Sequence, residues 1–301
     1  MLDISVIILT YNEEIHIRRC LENAGRFAKD IFIVDSFSTD KTLEIAKEFG
    51  AHVYQNKWEN NYAKQLNWGL DNCPIKTKWV LRLDADEYLT EELISELNDV
   101  MPCITDNYTG VEFPRHHIFL GKEIKFGGND VVLLRLFQYK KAFCEQKLMD
   151  EHMQLITGDC LTLNQYFFDH NLNDLTWWSI KHVGYAIREA IDILDIKYNL
   201  IGNALNDQSK ILNISAKIKR NMKHKYANMS LFWRSFYYFI YRYFIKGGFR
   251  DGKQGFIWCF LQAWWYRTLV DSIIFEIEKQ TQGNSRLILE YIKSHYKISL
   301  T

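Results

Sequence analysis

The six cysteines of the 301-residue chain (Cys20, Cys73, Cys103, Cys144, Cys160 and Cys259) form no C-x-x-C pair and no tight cluster with histidine. That argues against a zinc site or a thioredoxin-type centre, and the cysteines read as reduced thiols of a cytosolic protein. There is no G-x-x-x-x-G-K-[ST], no G-x-G-x-x-G and no G-x-S-x-G. P-loop kinases, dinucleotide dehydrogenases and nucleophile-elbow hydrolases are thereby excluded. The start Met1-Leu2-Asp3-Ile4 carries neither a basic n-region nor a small-residue cleavage site, so no secretion signal is expected. Net charge is missing too, since 37 Lys and Arg balance 37 Asp and Glu. The balance hides a segregation: between Lys210 and Lys253 eleven Lys and Arg face one acid, Asp251. A local excess of this kind points to a polyanionic partner.

What is present begins with Ile4-Ser5-Val6-Ile7-Ile8-Leu9, a short β-branched run that reads as a parallel strand covered on both faces. Thr10-Tyr11-Asn12 closes it, and residues 13–24 have helical spacing. A second strand, Ile31-Phe32-Ile33-Val34, ends in Asp35. The turn Ser36-Phe37-Ser38-Thr39-Asp40 then caps a helix over 41–49 that Gly50 terminates. A third strand is expected over 51–54, a helix over 60–72 and a fourth strand over 79–83. Thr90 is placed to cap a helix over 91–100. Strands and helices alternating in this way define a doubly wound α/β unit, whose ligands bind at the carboxyl ends of the strands. Thr10, Asn12, Asp35, Ser36, Asp84 and Asp86 stand at those ends on three strands and are expected to converge on one crevice. Asp84-Ala85-Asp86-Glu87 follows Trp79-Val80-Leu81-Arg82-Leu83 directly, and two such carboxylates can share Mg2+ or Mn2+ with a diphosphate.

Val6-Ile7-Ile8-Leu9-Thr10-Tyr11-Asn12-Glu13, Val34-Asp35-Ser36 with Thr39-Asp40, Asn67, and Asp84-Ala85-Asp86-Glu87, in this order and spacing, resemble the family 2 glycosyltransferases of the GT-A fold. Met149-Asp150-Glu151-His152, Asp169-His170-Asn171 and Lys181-His182 with Tyr185-Ala186 are similar to the bacterial branch that builds lipopolysaccharide core, O-antigen or capsule. The resemblance implies that Thr10, Tyr11 and Glu13 line the nucleoside pocket and that Asp35 meets the base, uracil. It implies further that Asp84 approaches ribose or diphosphate and that Asp86 holds the metal. Inversion at the anomeric carbon is implied as well, and inversion requires a base opposite the leaving group. Glu151 or Asp150 is the candidate. Lys64, Gln65 and Asn67 are candidates to face the diphosphate or sugar, with a solvated helix face as the other reading of Lys64. His170 and His182 could orient acceptor or phosphate, or be hydrogen-bonded structural residues.

Sixteen Phe, Tyr and Trp lie between Phe232 and Tyr266, in apolar runs over 231–245 and 256–270. Both runs contain Arg and fall short of the roughly twenty residues of a spanning helix. At about 100° per residue, Arg234, Tyr238, Arg242 and Lys246 share one sector. That predicts a helix in the membrane interface with its basic heads toward lipid phosphates. A soluble aromatic core or a dimer contact is the alternative; no nucleic-acid partner is expected. The expected organisation is thus a nucleotide-sugar-binding half over 1–100, an acceptor half with the base over 101–209, and a basic aromatic region on the membrane over 210–301. The expected activity is transfer from a UDP-sugar to a lipid-linked glycan at the inner face of the cell membrane. A nucleotidyltransferase making the activated sugar, or an adaptor that kept the fold without the chemistry, are the competing readings.

Overall fold

The computed structural model describes residues 1–128, 131–146, 151–200, 229–298 and 300. They form two compact units, one of residues 1–125 with 129–172, the other of residues 126–128 with 173–301.

In the first unit the strands are β1 (Ile4–Thr10), β2 (Asp30–Asp35), β3 (His52–Gln55), β4 (Trp79–Asp84), β5 (Glu87–Leu89), β6 (Tyr108–Phe119), β7 (Lys122–Ile124), β8 (Val131–Gln138), β9 (Ala142–Cys144), β10 (Met153–Leu155), β11 (Asp159–Thr162) and β12 (Phe167–Asp169). The helices are α1 (Ile17–Ala24), α2 (Thr42–Glu48), α3 (Tyr62–Asn72) and α4 (Glu91–Val100). One sheet runs β3-β2-β1-β4-β8-β6-β12-β5, with β7 and β11 also paired to β6, while β9 and β10 form a separate antiparallel pair. The β3-β2-β1-β4 portion is parallel and β8 enters antiparallel to β4. The sheet is therefore mixed and continues unbroken past residue 100.

Ile4, Val6 and Ile8 of β1 pack on one face with Leu21 of α1 and Leu93 of α4. Ile7 points to the other face with Leu66 and Leu70 of α3. Both faces of β1 are thus covered, as the continuous apolar run demands, and burying each such side chain contributes about 2 kcal/mol. Gly69 lets α3 lie close: a Cβ there would come within 2.6 Å of a Val34 methyl and 2.8 Å of an Ile7 methyl. Thr90 caps α4 by accepting the Leu93 N–H, as its position in the sequence predicts.

The second unit holds α5 (Leu175–Tyr198), α6 (Trp233–Ile240), α7 (Gly252–Cys259), α8 (Tyr266–Thr281) and α9 (Ser285–Tyr291). Wide turns over Tyr241–Ile245 and Phe260–Trp265 extend α6 and join α7 to α8. α5 packs along α8, where Glu189 accepts from the Tyr266 hydroxyl at 2.6 Å and from Arg267. No described helix is long and apolar enough to cross a membrane.

The tail differs from its expected orientation. Arg234 turns inward, fully buried, to pair with the equally buried Asp271, and Arg242 donates to the Gly127 carbonyl. Both cations satisfy groups inside the unit, so the outward face of α6 is aromatic. Of the basic stretch over 210–253, the part over 210–228 lies outside the described residues.

Candidate active site

Parallel register brings the strand-end residues together. Thr10 sits opposite Asp35, and Leu9 opposite Asp84. The ends of β1, β2 and β4 are therefore neighbours in the sheet. Thr10 donates its hydroxyl to Asp35 Oδ1 at 2.9 Å. Asp35 is fully buried and also accepts the Ser38 N–H at 2.9 Å, the Ser38 hydroxyl and the Gln55 amide at 3.2 Å. With four donors on its two oxygens, Asp35 holds the 36–38 turn closed, and contact with a base would displace one of them. Tyr11, 60% exposed just past the end of β1, presents an accessible ring.

The loop after β1 is laced to the turn before α2. The N–H groups of Asn12, Glu13 and Glu14 donate to Ser38 Oγ at 2.9 Å, Thr42 Oγ1 at 2.7 Å and Asp40 Oδ2 at 3.0 Å. These three successive amides are occupied within the protein, so the loop is not a cradle for phosphate. The Glu13 carboxylate is likewise engaged, 2.6 Å from His16 Nδ1. Because the Leu172 N–H donates to His16 Nε2 at 2.9 Å, the ring proton lies on Nδ1 and points at Glu13.

Asp84 and Asp86 have unlike surroundings. Asp84 accepts the Tyr62 hydroxyl at 2.5 Å and stands 3.6 Å from both Arg82 and Arg135. Burial alone would raise its pKa, but the two guanidinium groups and the hydroxyl outweigh that and hold it below the usual carboxylate range. Asp86 lies beyond the strand end, where its Oδ2 accepts the Asn171 amide at 2.8 Å. Its carbonyl accepts the His170 N–H at 3.0 Å and Arg19 at 3.2 Å. Glu87, which the sequence groups with these acids, instead opens β5 and is buried. It accepts from Arg135 and from the Asp84 N–H at 3.0 Å. Burial, together with the nearby Asp84 and Asp169, pushes the Glu87 carboxyl up to about 8 against the pull of Arg135.

Arg19 also donates to the His170 carbonyl at 2.6 Å and lies 2.9 Å from His170 Nδ1. Arginine cannot accept, so Nδ1 carries the lone pair and the neutral ring holds its proton on Nε2. Burial and the positive neighbours Arg19 and His16 lower the His170 pKa, which favours that neutral form. Asp169 lies 3.3 Å from His117 and 3.6 Å from Arg115.

Asn67 does not face a ligand with its amide: it donates to the Cys144 carbonyl at 2.8 Å and accepts the Cys144 N–H at 2.9 Å. Cys144 is paired with Met153 in register, while the Glu145 N–H bonds the His152 carbonyl. The Cys144 backbone groups therefore point away from β10, where Asn67 occupies them as a further strand would. Glu151 is half-buried just ahead of β10, near enough to Cys144 to help raise the thiol, which burial chiefly drives to about 12. Asp150 lies outside the described residues. Lys64 pairs with Glu59 at 3.0 Å on an exposed helix face, and Gln65 is buried between Ser36 and Asn56. His182 belongs to the second unit, stacked 3.5 Å over Trp178 and bonded to its carbonyl, and burial lowers its pKa to about 4.

Arg82, Arg135, Tyr62 and Asn171 shape the acidic centre, and the sequence reading assigned them no role. Arg82 and Arg135 did leave a signal: each is a lone cation inside an apolar strand, and a buried cation requires an acidic partner.

Residues 5–125 match the family described as Glycosyl transferase family 2. An uncharacterized glycosyltransferase of Rickettsia typhi is 26% identical over 91% of this chain and 83% of its own length. The lipopolysaccharide core biosynthesis glycosyltransferase LpsC of Rhizobium meliloti is 30% identical over 40% of this chain and 44% of its own. Other relatives are matched over about a third of their length, 31% and 32% in two of them. Among solved structures, glucosyl-3-phosphoglycerate synthase of Mycobacterium tuberculosis, in complex with Mn2+, UDP and glucosyl-3-phosphoglycerate, is 22% identical with a TM-score of 0.32. That likeness covers 37% of this chain and 43% of that one.

Proposed function

We propose that this chain, a family 2 glycosyltransferase, moves a sugar from a nucleotide diphosphate donor to a growing lipid-linked glycan, with inversion at the anomeric carbon. A UDP-hexose is the donor that the family resemblance implies. The similarity to LpsC, a lipopolysaccharide core biosynthesis glycosyltransferase, supports an acceptor of the lipopolysaccharide core type, and we place its elongation at the inner face of the cell membrane.

The observation that carries the reading is the placement of Asp86, just past the strand ends and oriented by Asn171, in the same unit as Glu151. Among the described residues no group of three or more His, Cys, Asp or Glu could by itself hold a metal ion. Asp86 nevertheless fits Mg2+ or Mn2+, since such ions take one or two carboxylates and complete their shell with phosphate oxygens and water. Asp84, engaged by Tyr62 and two arginines, fits better as the residue that steadies this end of β4 and faces ribose or diphosphate. The cation, when bound, neutralises the charge that builds on the departing diphosphate. Tyr11 stacks on the base, and the His170 Nε2–H is a donor for a phosphate or acceptor oxygen. Glu151 takes the proton of the acceptor hydroxyl as its oxygen bonds to the anomeric carbon and the bond to the diphosphate oxygen breaks.

The occupied amides after β1 disfavour the nucleotidyltransferase reading, which requires that loop for phosphate. The test is a panel of nucleotide sugars scored for release of nucleoside diphosphate with and without Mn2+ or Mg2+. Metal-dependent release that Asp86→Ala abolishes is expected. Release that survives both EDTA and Asp86→Ala removes the metal role, and no turnover of any donor removes the transferase reading.

A further inference from the structure

The second unit exposes an aromatic face that none of its described residues covers. Trp233, Tyr237, Tyr241 and Phe244 follow one another at spacings of four, four and three residues, so they line one side of α6 and its wide turn, with Ile245 at the edge. Arg234, Ser235, Phe239 and Arg242 are buried on the opposite side. Tyr243 carries the face onward, in edge contact with Phe244 at 4.9 Å and with the exposed Phe256 at 5.6 Å. A cavity of about 430 Å³ lies there, lined by Tyr243, Phe249, Phe256 and Lys253.

Along residues 229–270 the exposed charge has one sign. Lys246, Arg250 and Lys253 are exposed, and Asp251, the one acid between residues 229 and 270, is buried. It accepts the Phe126 N–H at 2.9 Å. A two-fold contact between copies through this stretch would oppose these cations with no exposed acid of the same stretch to pair them. Exposed Trp and Tyr beside Lys and Arg suit the headgroup level of a bilayer, where rings enter the interface and cations meet lipid phosphates.

We infer that the face formed by Trp233, Tyr237, Tyr241, Phe244 and Ile245, with Lys246, Arg250 and Lys253 beside it, docks on an anionic lipid bilayer. The docking reverses the orientation that the arginine periodicity predicts: Arg234 and Arg242 buttress the helix from within while the rings enter the lipid. The inference rests on the lipid-linked acceptor reading for its purpose, but on the second unit alone for its residues.

Flotation with vesicles of phosphatidylcholine containing about 30% phosphatidylglycerol tests it. Wild-type protein should float with these vesicles and much less with pure phosphatidylcholine. Lys246→Gln/Arg250→Gln/Lys253→Gln should weaken anionic binding by on the order of 100-fold. Trp233→Ser/Tyr237→Ser/Phe244→Ser should weaken binding to both vesicle types. Brominated acyl chains should quench wild-type tryptophan fluorescence, and Trp233→Phe should remove most of that quench, which checks insertion without the multiple variants. Nucleotide-sugar hydrolysis in the absence of lipid should be the same in all variants. Absent flotation with hydrolysis intact overturns the docking face alone, whereas flotation without any hydrolysis leaves the face standing and removes the transferase reading. Self-association that Trp233→Ser abolishes, with no vesicle binding, overturns the inference in favour of a second copy.

Discussion

Asn67→Ala should separate two roles for one side chain, contact with the donor or support of the segment that carries the base. Asn67 makes both of its hydrogen bonds to the backbone of Cys144, at 2.8 and 2.9 Å, and Cys144 is buried. Losing two net hydrogen bonds costs about 2 kcal/mol, and up to about 4 kcal/mol if the Cys144 amide and carbonyl find no water. At about 2–4 °C per kcal/mol for a unit of this size, Tm should fall by roughly 4–16 °C. The pair β9 and β10 flanks Glu151, so a displacement near 1 Å should lower kcat by about 100-fold. The donor KM should stay within about twofold, because the amide does not point at the donor. Asn67→Asp, which keeps the size but sets a carboxylate against the Cys144 carbonyl, should fare no better than alanine. The assays are scanning calorimetry and initial rates with donor and acceptor varied separately. An unchanged Tm and kcat with a tenfold higher donor KM would refute the support role and return Asn67 to the diphosphate.

Glu151→Gln should lower kcat by about 10²–10⁴ while leaving nucleotide affinity by calorimetry intact; transfer kept within tenfold would move the base elsewhere. Arg234→Met strands the buried Asp271 and should cost about 3–5 kcal/mol in urea unfolding, most of it recovered in Arg234→Met/Asp271→Leu. Burial raises Glu87 from its ordinary 4.5 to about 8, so the folded state holds a proton that the unfolded chain has released. Its contribution must therefore decline as pH rises between these values. Asp169 has the opposite sign: burial would raise it, but His117 and then Arg115 and Arg135 hold it below its usual range, so its contribution is present above pH 3.8 and lost on acidification. Unfolding at pH 5.5 and pH 8 should give a difference that Glu87→Gln reduces, and an unchanged slope in that variant would remove the assignment.

The parallel strands were legible because each is a short apolar run with a polar end, and that end alone places Thr10, Asp35 and Asp84 side by side. The Thr90 cap was legible because capping is local. Glu87 was not, because its burial depends on β5 pairing with β12, some eighty residues later in the chain. Asn67 was read as facing the donor because a helix gives no sign that β9 will lie beside it. The inward turn of Arg234 was hidden for the same reason: periodicity sorts residues into faces, but which face is inside depends on Asp271, thirty-seven residues away.

Helix α3 holds Asp84 through Tyr62 and Cys144 through Asn67. Five residues separate the two grips, about 7.5 Å along the axis. Such an interval works as a gauge block. One residue inserted between them would rotate one grip by about 100° and release either the acidic strand end or the hairpin. Loops elsewhere in the unit can grow without that penalty. Chimeras between relatives should therefore exchange residues 62–67 together with β9 and β10, or leave all three in place.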